Sequence, residues 1–507
     1  MKRITTLLLA ALFSFSCVAA AHASSNVDVK VKGRWDFSFT AVFNGGFDKD
    51  GDRNGTHRND DNFTANQRIR TQVNFIMSEN LQAVLQFEIG GLTWGRSTAA
   101  TGKNAGGGLG ADGVNVETKH AYLDWMVPDT GLHIRMGLQA VALPSSDLGS
   151  PLLDDDVAAV VASYKFNDTF ALTAFWARPF DDRRNDSGNL ARSFDDETDL
   201  FGLVLPISLD GATISPYFMY GKVGAASGFY GDFTIPTGAA ARGNTSSASA
   251  WWMGAAAEVN MFDPLTLTAE FTYGSIGRND VADDFADISN AFGRFNEVSS
   301  RGWYLAATLD YKLDWGTPGI FGWYSSGDKA SDVSGKARLG RMPTVHGDQD
   351  FTSFGMDGAA GDGAGSGYLM GESVIGTWGL GLQIADVSFI KNLKHTLRFT
   401  YYNGTNDHRV VRNGRGGSGT AMWGDAADFN EKMALIGAGA DGQTVNYLTT
   451  KDHAYEINFD HKYKIYENLA AILELGVIKI DRDEKTWGRD FQNDAAYKAA
   501  IAFEFRF

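Results

Sequence analysis

The residues of this chain that are best placed to do chemistry are carboxylates and guanidiniums. Four aspartates lie in the Pro-containing loop predicted at residues 140–156, after the fifth strand, and four arginines stand in alternating polar and apolar segments. The acidic set is Asp147, Asp154, Asp155 and Asp156, and the basic set is Arg34, Arg68, Arg70 and Arg135. Carboxylates that face guanidiniums across a narrow wet gap create a transverse field that favours polar solutes. The residues therefore predict an electrostatic constriction, with an ordinary exposed acidic loop as the alternative.

A second acidic segment has the spacing of a calcium loop. Asp50, Asp52 and Asn54 are followed by Gly55, and Asp61 comes after five more residues. This order resembles the loop of EF-hands, with Asp61 where a bidentate Glu usually stands. No flanking helices are predicted, and a solvated acidic loop is the alternative. We expect no required cofactor, with calcium in this loop as a tentative site.

Enzyme chemistry has little support in the sequence. The single cysteine, Cys17, lies in the N-terminal segment, and nine histidines are scattered without a compact Ser/His/Asp signature. We therefore predict no enzymatic activity, and a barrel hydrolase is the least favoured alternative.

The N-terminus has the organisation of a secretory signal peptide. Lys2 and Arg3 precede a mostly apolar stretch that ends at the A-x-A site Ala21–Ala23. Cleavage would remove residues 1–23 and leave one domain at 24–507. Since those two residues are the only charges removed, the formal net charge would change from −16 to −18. So acidic a chain argues against nucleic-acid binding.

The rest of the chain has the two-residue period of β-strands with one apolar face. Val29, Val31 and Trp35 alternate with Lys30, Lys32 and Arg34, and similar segments recur along the chain. Short links near 78–80, 128–131, 167–168, 208–211, 261–264, 314–318 and 464–468 are separated by long polar loops. This asymmetry predicts an all-β transmembrane antiparallel barrel of about 18 strands, with 16 as the alternative. A large soluble β-sandwich or β-helix is a weaker interpretation.

The last segment is the sharpest strand signal. Tyr497, Phe503, Phe505 and Phe507 alternate with polar or small residues. A closing strand of this kind resembles the signal that the barrel-assembly machinery reads in outer-membrane proteins. Other aromatic residues fall near predicted strand ends, where they would form two girdles at the membrane boundaries.

With these features together, the chain resembles the homotrimeric outer-membrane porins of Desulfovibrio-type sulfate reducers. The resemblance rests on Val29–Gly33, Phe63–Asn74, Leu143–Ser146 and Tyr401–Asn406, with the final Phe-Glu-Phe-Arg-Phe. It implies a homotrimer and passive diffusion of small hydrophilic solutes.

These observations together predict a porin in the Gram-negative outer membrane. Its expected partners are outer-membrane lipids, two further copies of itself, the barrel-assembly machinery and small hydrophilic solutes, and no nucleic acid. A surface binding or adhesion barrel without an open pore is the alternative function.

Overall fold

The computed structural model describes the β-strands and the parts of the loops that join them. It covers residues 27–45, 61–96, 107–108, 116–146, 149–181, 197–224, 247–280, 297–329, 337–356, 373–409, 447–487 and 494–507. The strands are β1 (Asp28–Phe43), β2 (Asn62–Ser78), β3 (Leu81–Thr93), β4 (Val116–Met126), β5 (Leu132–Ala142), β6 (Asp154–Lys165), β7 (Ala171–Asp181), β8 (Glu197–Val204), β9 (Ile207–Leu209), β10 (Ala212–Val223), β11 (Ala248–Phe262), β12 (Leu265–Asp280), β13 (Glu297–Tyr311), β14 (Thr317–Ser325), β15 (Ala337–Leu339), β16 (Thr377–Ile390), β17 (Leu393–Gly404), β18 (His453–Tyr466), β19 (Leu469–Asp481) and β20 (Ala495–Arg506).

The strands form one antiparallel barrel of 18 strands. Strands β8 and β9 are two parts of a single wall strand, interrupted at Leu205–Pro206, and both pair with β10. The three-residue strand β15 is a side branch that runs parallel to the first residues of β13. Strand β1 pairs with both β2 and β20, so the sheet closes on itself. The predicted fold class and the count of 18 strands are confirmed.

The two faces of the wall differ as the alternation predicts. In β1, Trp35 is 37% exposed on the outer face, whereas Ser38 and Thr40 are buried on the inner face. Large apolar side chains that are exposed on the outer face recur around the barrel, among them Leu123, Phe271, Leu305, Leu382 and Ile457. A closed wall with an apolar exterior is the arrangement of membrane-spanning barrels, because closure leaves no unpaired strand edge in lipid.

One end of the barrel has short turns and the other has long loops. The predicted short turns all lie between paired strands, and an eighth joins β16 to β17 at Lys391 and Asn392. Asn392 adopts a positive φ of 67°, which asparagine tolerates, so the turn needs no glycine or proline. The longest helix among the described residues, α1, covers Glu484–Trp487. Among the described residues, no helix is long and apolar enough to span a membrane.

The buried core lies inside the long-loop half of the barrel. A first apolar cluster joins strands β5–β8 and β10–β12 to the loop residues Leu143, Leu152, Leu153 and Val345. A second joins β1, β13, β14 and β17–β20 to the loop residues Met342, Phe351, Phe354, Met356, Val374 and Ile375. Both include residues from loops, so segments of two long loops fold into the lumen. We call them the third loop (143–153) and the seventh loop (326–376), by their order along the chain.

Candidate functional site in the barrel lumen

A stripe of charged side chains follows the inner face of five neighbouring strands and β20. The charged stripe, as we name it, comprises Arg34, Asp36, Arg68, Arg70, Glu88, Asp124, His133, Arg135 and Glu504. The four predicted arginines therefore lie on one part of the wall. The strands place them there because each alternates with an outward apolar residue, as Trp35 does beside Arg34.

Arginines at the centre of the stripe are paired with carboxylates of the same wall. Arg34 Nε lies 2.7 Å from Asp36 Oδ2, and its Nη1 lies 3.7 Å from Glu504 Oε2. Arg70, which is directly opposite Arg34 in the β1–β2 register, has its Nε 2.5 Å from Glu88 Oε2. Arg34 and Arg70 remain 28% and 23% exposed, so these ion pairs are accessible to solvent inside the barrel.

Two more pairs extend the stripe toward the short-turn end. His133 Nε2 lies 2.5 Å from Asp124 Oδ1, and Gln82 donates to Asp124 Oδ2 at 3.2 Å. Next to them the Arg135 guanidinium stacks on the ring of Tyr122, 5.9 Å from its centroid. Acidic and basic groups thus alternate along one side of the lumen.

The predicted acidic loop is shorter than the sequence indicated. Asp154, Asp155 and Asp156 are the first residues of strand β6 and pair in register with Ala142, Val141 and Ala140. They belong to the wall because β6 does not begin at the β-branched and small residues after them. Its main-chain pairing with β5 extends three residues further, to Asp154. Asp147 lies outside the described residues.

The partners of these aspartates are not the predicted arginines. Asp156 accepts hydrogen bonds from Lys119 and from His120, whose Nε2 lies 2.7 Å away. Asp155 Oδ2 lies 3.5 Å from His346 Nδ1 of the seventh loop. The role of the aspartates and arginines in a constriction stays a prediction, whereas the location of the three aspartates in a loop was wrong.

The third and seventh loops are joined by main-chain hydrogen bonds inside the barrel. The N–H groups of Val345 and His346 donate to Leu152 O at 3.0 and 3.1 Å. Asp348 N donates to Ser150 O at 2.9 Å, and Asp154 N donates to His346 O at 2.9 Å. We call this contact the loop latch.

An apolar anchor holds the seventh loop against the wall. Phe351 and Phe354 are each 1% exposed, and the Phe351 ring centroid lies 4.4 Å from that of Trp323 on β14. Glu456 on β18 accepts the main-chain N–H groups of Phe354 and Gly355 at 3.1 and 3.0 Å, and also the hydroxyl of Tyr402. The sequence analysis missed this anchor, although apolar residues in a Gly- and Asp-rich segment were a signal for it.

A buried polar network connects both loops to the opposite strands. Ser146 of the third loop donates to Glu270 Oε1 at 2.8 Å, and Gln349 of the seventh loop donates to the Tyr304 hydroxyl at 2.8 Å. Tyr304 itself donates to Glu270 at 3.4 Å. Since buried polar groups are costly without partners, this network fixes where both loops sit in the lumen.

Of the four residues of the tentative calcium site, Asp61 is the one that the structure describes. Asp50, Asp52 and Asn54 lie outside the described residues, and Asp61 accepts the main-chain N–H of Asn44 at 3.0 Å through Oδ1. Within the described part of the chain, no group of three or more potential metal ligands comes together.

The aromatic residues of the predicted assembly signal lie at the seam of the barrel. Tyr497, Phe503 and Phe505 pair in register with Phe43, Phe37 and Trp35 of β1. Phe507 extends the same contact to Gly33.

Comparisons with known proteins identify structures of similar fold. No family model matches the chain, and no curated protein matches it. Solved structures that match include Pseudomonas aeruginosa OpdQ (TM-score 0.48, 10% identity, 95% of this chain and 98% of that chain). Acinetobacter baumannii OccAB2 has a TM-score of 0.49 at 11% identity, with 95% and 98% of the two chains covered. P. aeruginosa OpdK, whose structure was determined with vanillate, has a TM-score of 0.47 at 9% identity, with 95% and 98% covered.

These structures belong to outer-membrane porins of the OprD/Occ group. They do not support the resemblance to Desulfovibrio-type trimeric porins that the sequence motifs suggested. The function proposed below therefore rests on the residues of this chain.

Proposed function

We propose that this chain is an outer-membrane porin that lets small hydrophilic solutes and ions cross by passive diffusion. The observation that carries the proposal is the contrast between the two faces of one closed wall. The outer face exposes apolar side chains such as Leu305 and Ile457, and the inner face carries the partly exposed ion pairs of the charged stripe. A charged interior is favourable only where water reaches it.

The distribution of apolar side chains in the lumen indicates where the path lies. The two buried clusters that hold the third and seventh loops include no described residue of β2, β3 or β4. Those strands carry Arg68, Arg70, Glu88 and Asp124 of the charged stripe. The loops therefore fill one side of the lumen and leave the charged side as the route for polar solutes.

A passive channel needs no catalytic residues, and we propose no enzymatic step.

Three further features complete the proposal: a homotrimer, insertion by the barrel-assembly machinery, and weak calcium binding in the first long loop. Trimer formation is supported by the extensive apolar outer wall, since cyclic symmetry closes such contacts. Removal of residues 1–23 before insertion belongs to the same proposal.

Conductance of the purified protein in planar lipid bilayers tests this function. We expect stable single-channel steps that scale with salt concentration, because the conducting ions move through water. A protein that inserts but never conducts, and that binds a surface ligand, would instead be the adhesion barrel without an open pore. Reconstituted liposomes that take up small sugars provide a second, voltage-independent readout.

A further inference from the structure

A groove opens on the outer face of the barrel near the long-loop end. It has a volume of about 870 Å³ and is lined by Arg301, Trp303, Tyr324, Lys329, Arg409 and Thr450. The charged stripe lies inside the wall, so this outer groove is a separate feature that a diffusion channel does not need.

The groove faces outward, as the alternation of exposed and buried side chains along β13 and β14 shows. Trp303 and Tyr324 are 37% and 40% exposed, and they share their face with Leu305 and Ile320, which are also exposed. Tyr304, which follows Trp303, and Trp323, which precedes Tyr324, are buried on the other face, inside the lumen. The two exposed rings stack with centroids 4.8 Å apart, so they form a flat aromatic floor that faces away from the barrel.

This floor belongs to an aromatic girdle. Trp251 and Tyr273 lie with ring centroids 5.3 Å apart on β11 and β12, and Trp378 and Tyr401 lie 5.3 Å apart on β16 and β17. Rings in such girdles sit at the boundary between the hydrocarbon and the lipid headgroups. A cation just beyond the girdle therefore lies at headgroup level.

Arg301 and Lys329 are such cations. Arg301 stands two residues beyond Trp303 toward the long loops, and Lys329 stands beyond the end of β14; both are exposed. Among the described residues, the ion pairs around the groove join Asp328 to Arg341 and Asp407 to both Arg409 and His408, and they include neither of these cations.

The acidic residues of the groove are neutralised locally. Arg409 donates to Asp407 through Nε at 3.0 Å and Nη2 at 2.6 Å, and these bonds lower the pKa of Asp407 to about 2. Asp328 is 2% exposed and bound to Arg341 at 2.9 Å. The described residues of the groove thus present a net positive charge that comes from Arg301 and Lys329.

We propose that the outer groove binds the phosphorylated sugar headgroup of lipopolysaccharide, the glycolipid of the outer leaflet. Guanidinium and ammonium groups recognise phosphate oxygens, and an aromatic floor suits the apolar face of a sugar ring. The volume is within the range of sites for one small ligand or headgroup. The acyl chains would lie along the exposed apolar residues of β13 and β14, below the girdle.

The test compares lipid binding by the full-length protein with that of the double variant Arg301→Glu/Lys329→Glu. Binding of purified bisphosphorylated lipid A is measured by native mass spectrometry in mild detergent. We expect the double variant to lose roughly tenfold or more in affinity, because two charge-assisted contacts are reversed. Lys312→Glu is the matched control. It reverses an exposed charge just after β13, at the short-turn end of the strand that carries Arg301. Its affinity should equal that of the wild type.

Two other probes make the proposal falsifiable. Dephosphorylated lipid A should bind the wild-type protein weakly, and phosphatidylglycerol should compete poorly because it lacks the sugars. Equal binding of lipid A by the wild type and the double variant would overturn the proposal. So would a double variant that changes oligomeric state while its lipid binding is unchanged, since the groove would then be a contact between copies of the chain. Bilayer conductance, recorded in parallel, is expected to stay at the wild-type value and so tests the channel function separately.

Discussion

Gly33 and Phe507 exchange two main-chain hydrogen bonds across the seam where the barrel closes. Gly33 N donates to Phe507 O at 2.8 Å, and Phe507 N donates to Gly33 O at 3.0 Å. The Phe507 ring also lies directly over the glycine, because a Cβ at position 33 would be only 2.4 Å from its Cζ. The same Cβ would lie 2.6 Å from the main-chain oxygen of Arg70, which cannot turn aside as a ring can, so position 33 requires glycine.

Gly33→Val should weaken closure of the barrel. The added side chain displaces the Phe507 ring, and we expect a reduced fraction of folded protein. Deletion of Phe507 should have a similar effect, because two hydrogen bonds of about 1 kcal/mol each are lost with the ring contact. Heat-modifiable migration in gels and the yield in outer-membrane fractions measure this. Ala499→Val, which adds bulk on the outer face of the same seam, is the control. Normal folding of Gly33→Val would contradict the importance of this contact.

The anchor of the seventh loop provides a second test. Glu456→Leu should leave the buried N–H groups of Phe354 and Gly355 without their acceptor, at about 1–3 kcal/mol each. We expect the loop to leave its place in the lumen, so single-channel conductance and open-channel noise should both rise. Tyr402→Phe removes only one hydrogen bond to the same carboxylate and should have a smaller effect. Wild-type conductance in both variants would mean that the loop does not limit the pore.

The wall of the barrel was predictable because membrane strands repeat one local rule. Each residue of β1 or β20 faces lipid or lumen according to its parity, and that pattern needs no knowledge of distant contacts. Strand β16 was harder to predict, since glycines, Gly379 and Gly381, stand at two of its lumen-facing positions, where no polar side chain marks the face. They do so because the rings of Trp323 and Phe321 occupy that space, which only the folded barrel reveals.

The interior of the barrel was less predictable than its wall. Glu456 and Phe354 are 102 residues apart in the chain, and no local pattern connects them. The loop latch likewise depends on hydrogen bonds between two loops that are distant in sequence. The charged stripe was predicted in part, because its arginines follow strand parity, but their carboxylate partners depend on which strands become neighbours.

The loop latch should respond to pH through Asp348. Burial raises the pKa of Asp348, Asp155 adds to this rise, and His346 opposes it. A raised pKa means that the latched state binds the proton more tightly than a released, solvated loop does. The stabilisation of the latch is therefore complete below the ordinary pKa of about 3.9 and is lost as the pH rises through the raised value. Conductance should fall when the pH is lowered from 7 to about 4.

Asp348→Asn tests this response. The amide resembles the protonated acid, so the variant should show low conductance over the whole range and a weaker dependence on pH. Asp129→Asn, in a short turn at the opposite end of the barrel, serves as the control and should respond like the wild type. If Asp348→Asn retains the full wild-type response, another group is responsible.

The charged stripe should set the ion preference of the channel. Arg34→Gln/Arg70→Gln removes two positive charges beside Asp36 and Glu88, so the inner wall becomes more acidic and the reversal potential in a salt gradient should shift toward cations. Glu88→Gln should shift it toward anions, and so should Asp155→Asn, because Asp155 has the lumen-facing parity of β6 and lies 3.5 Å from His346 of the seventh loop. Each lost charge is worth about 1 kcal/mol at contact distance in water, which corresponds to a change in permeability ratio of about fivefold.

The control for the stripe is an arginine of the outer wall. Arg178 stacks on the exposed ring of Trp176 and lies 2.9 Å from Asp199, so Arg178→Gln removes the same charge outside the lumen. Selectivity in that variant should equal the wild-type value, because lipid and wall separate its charge from the permeating ions. A shift in Arg178→Gln as large as that in Arg34→Gln/Arg70→Gln would show that the total charge of the protein, and not the stripe, determines selectivity. Unchanged selectivity in all stripe variants would place the path of the ions elsewhere in the lumen.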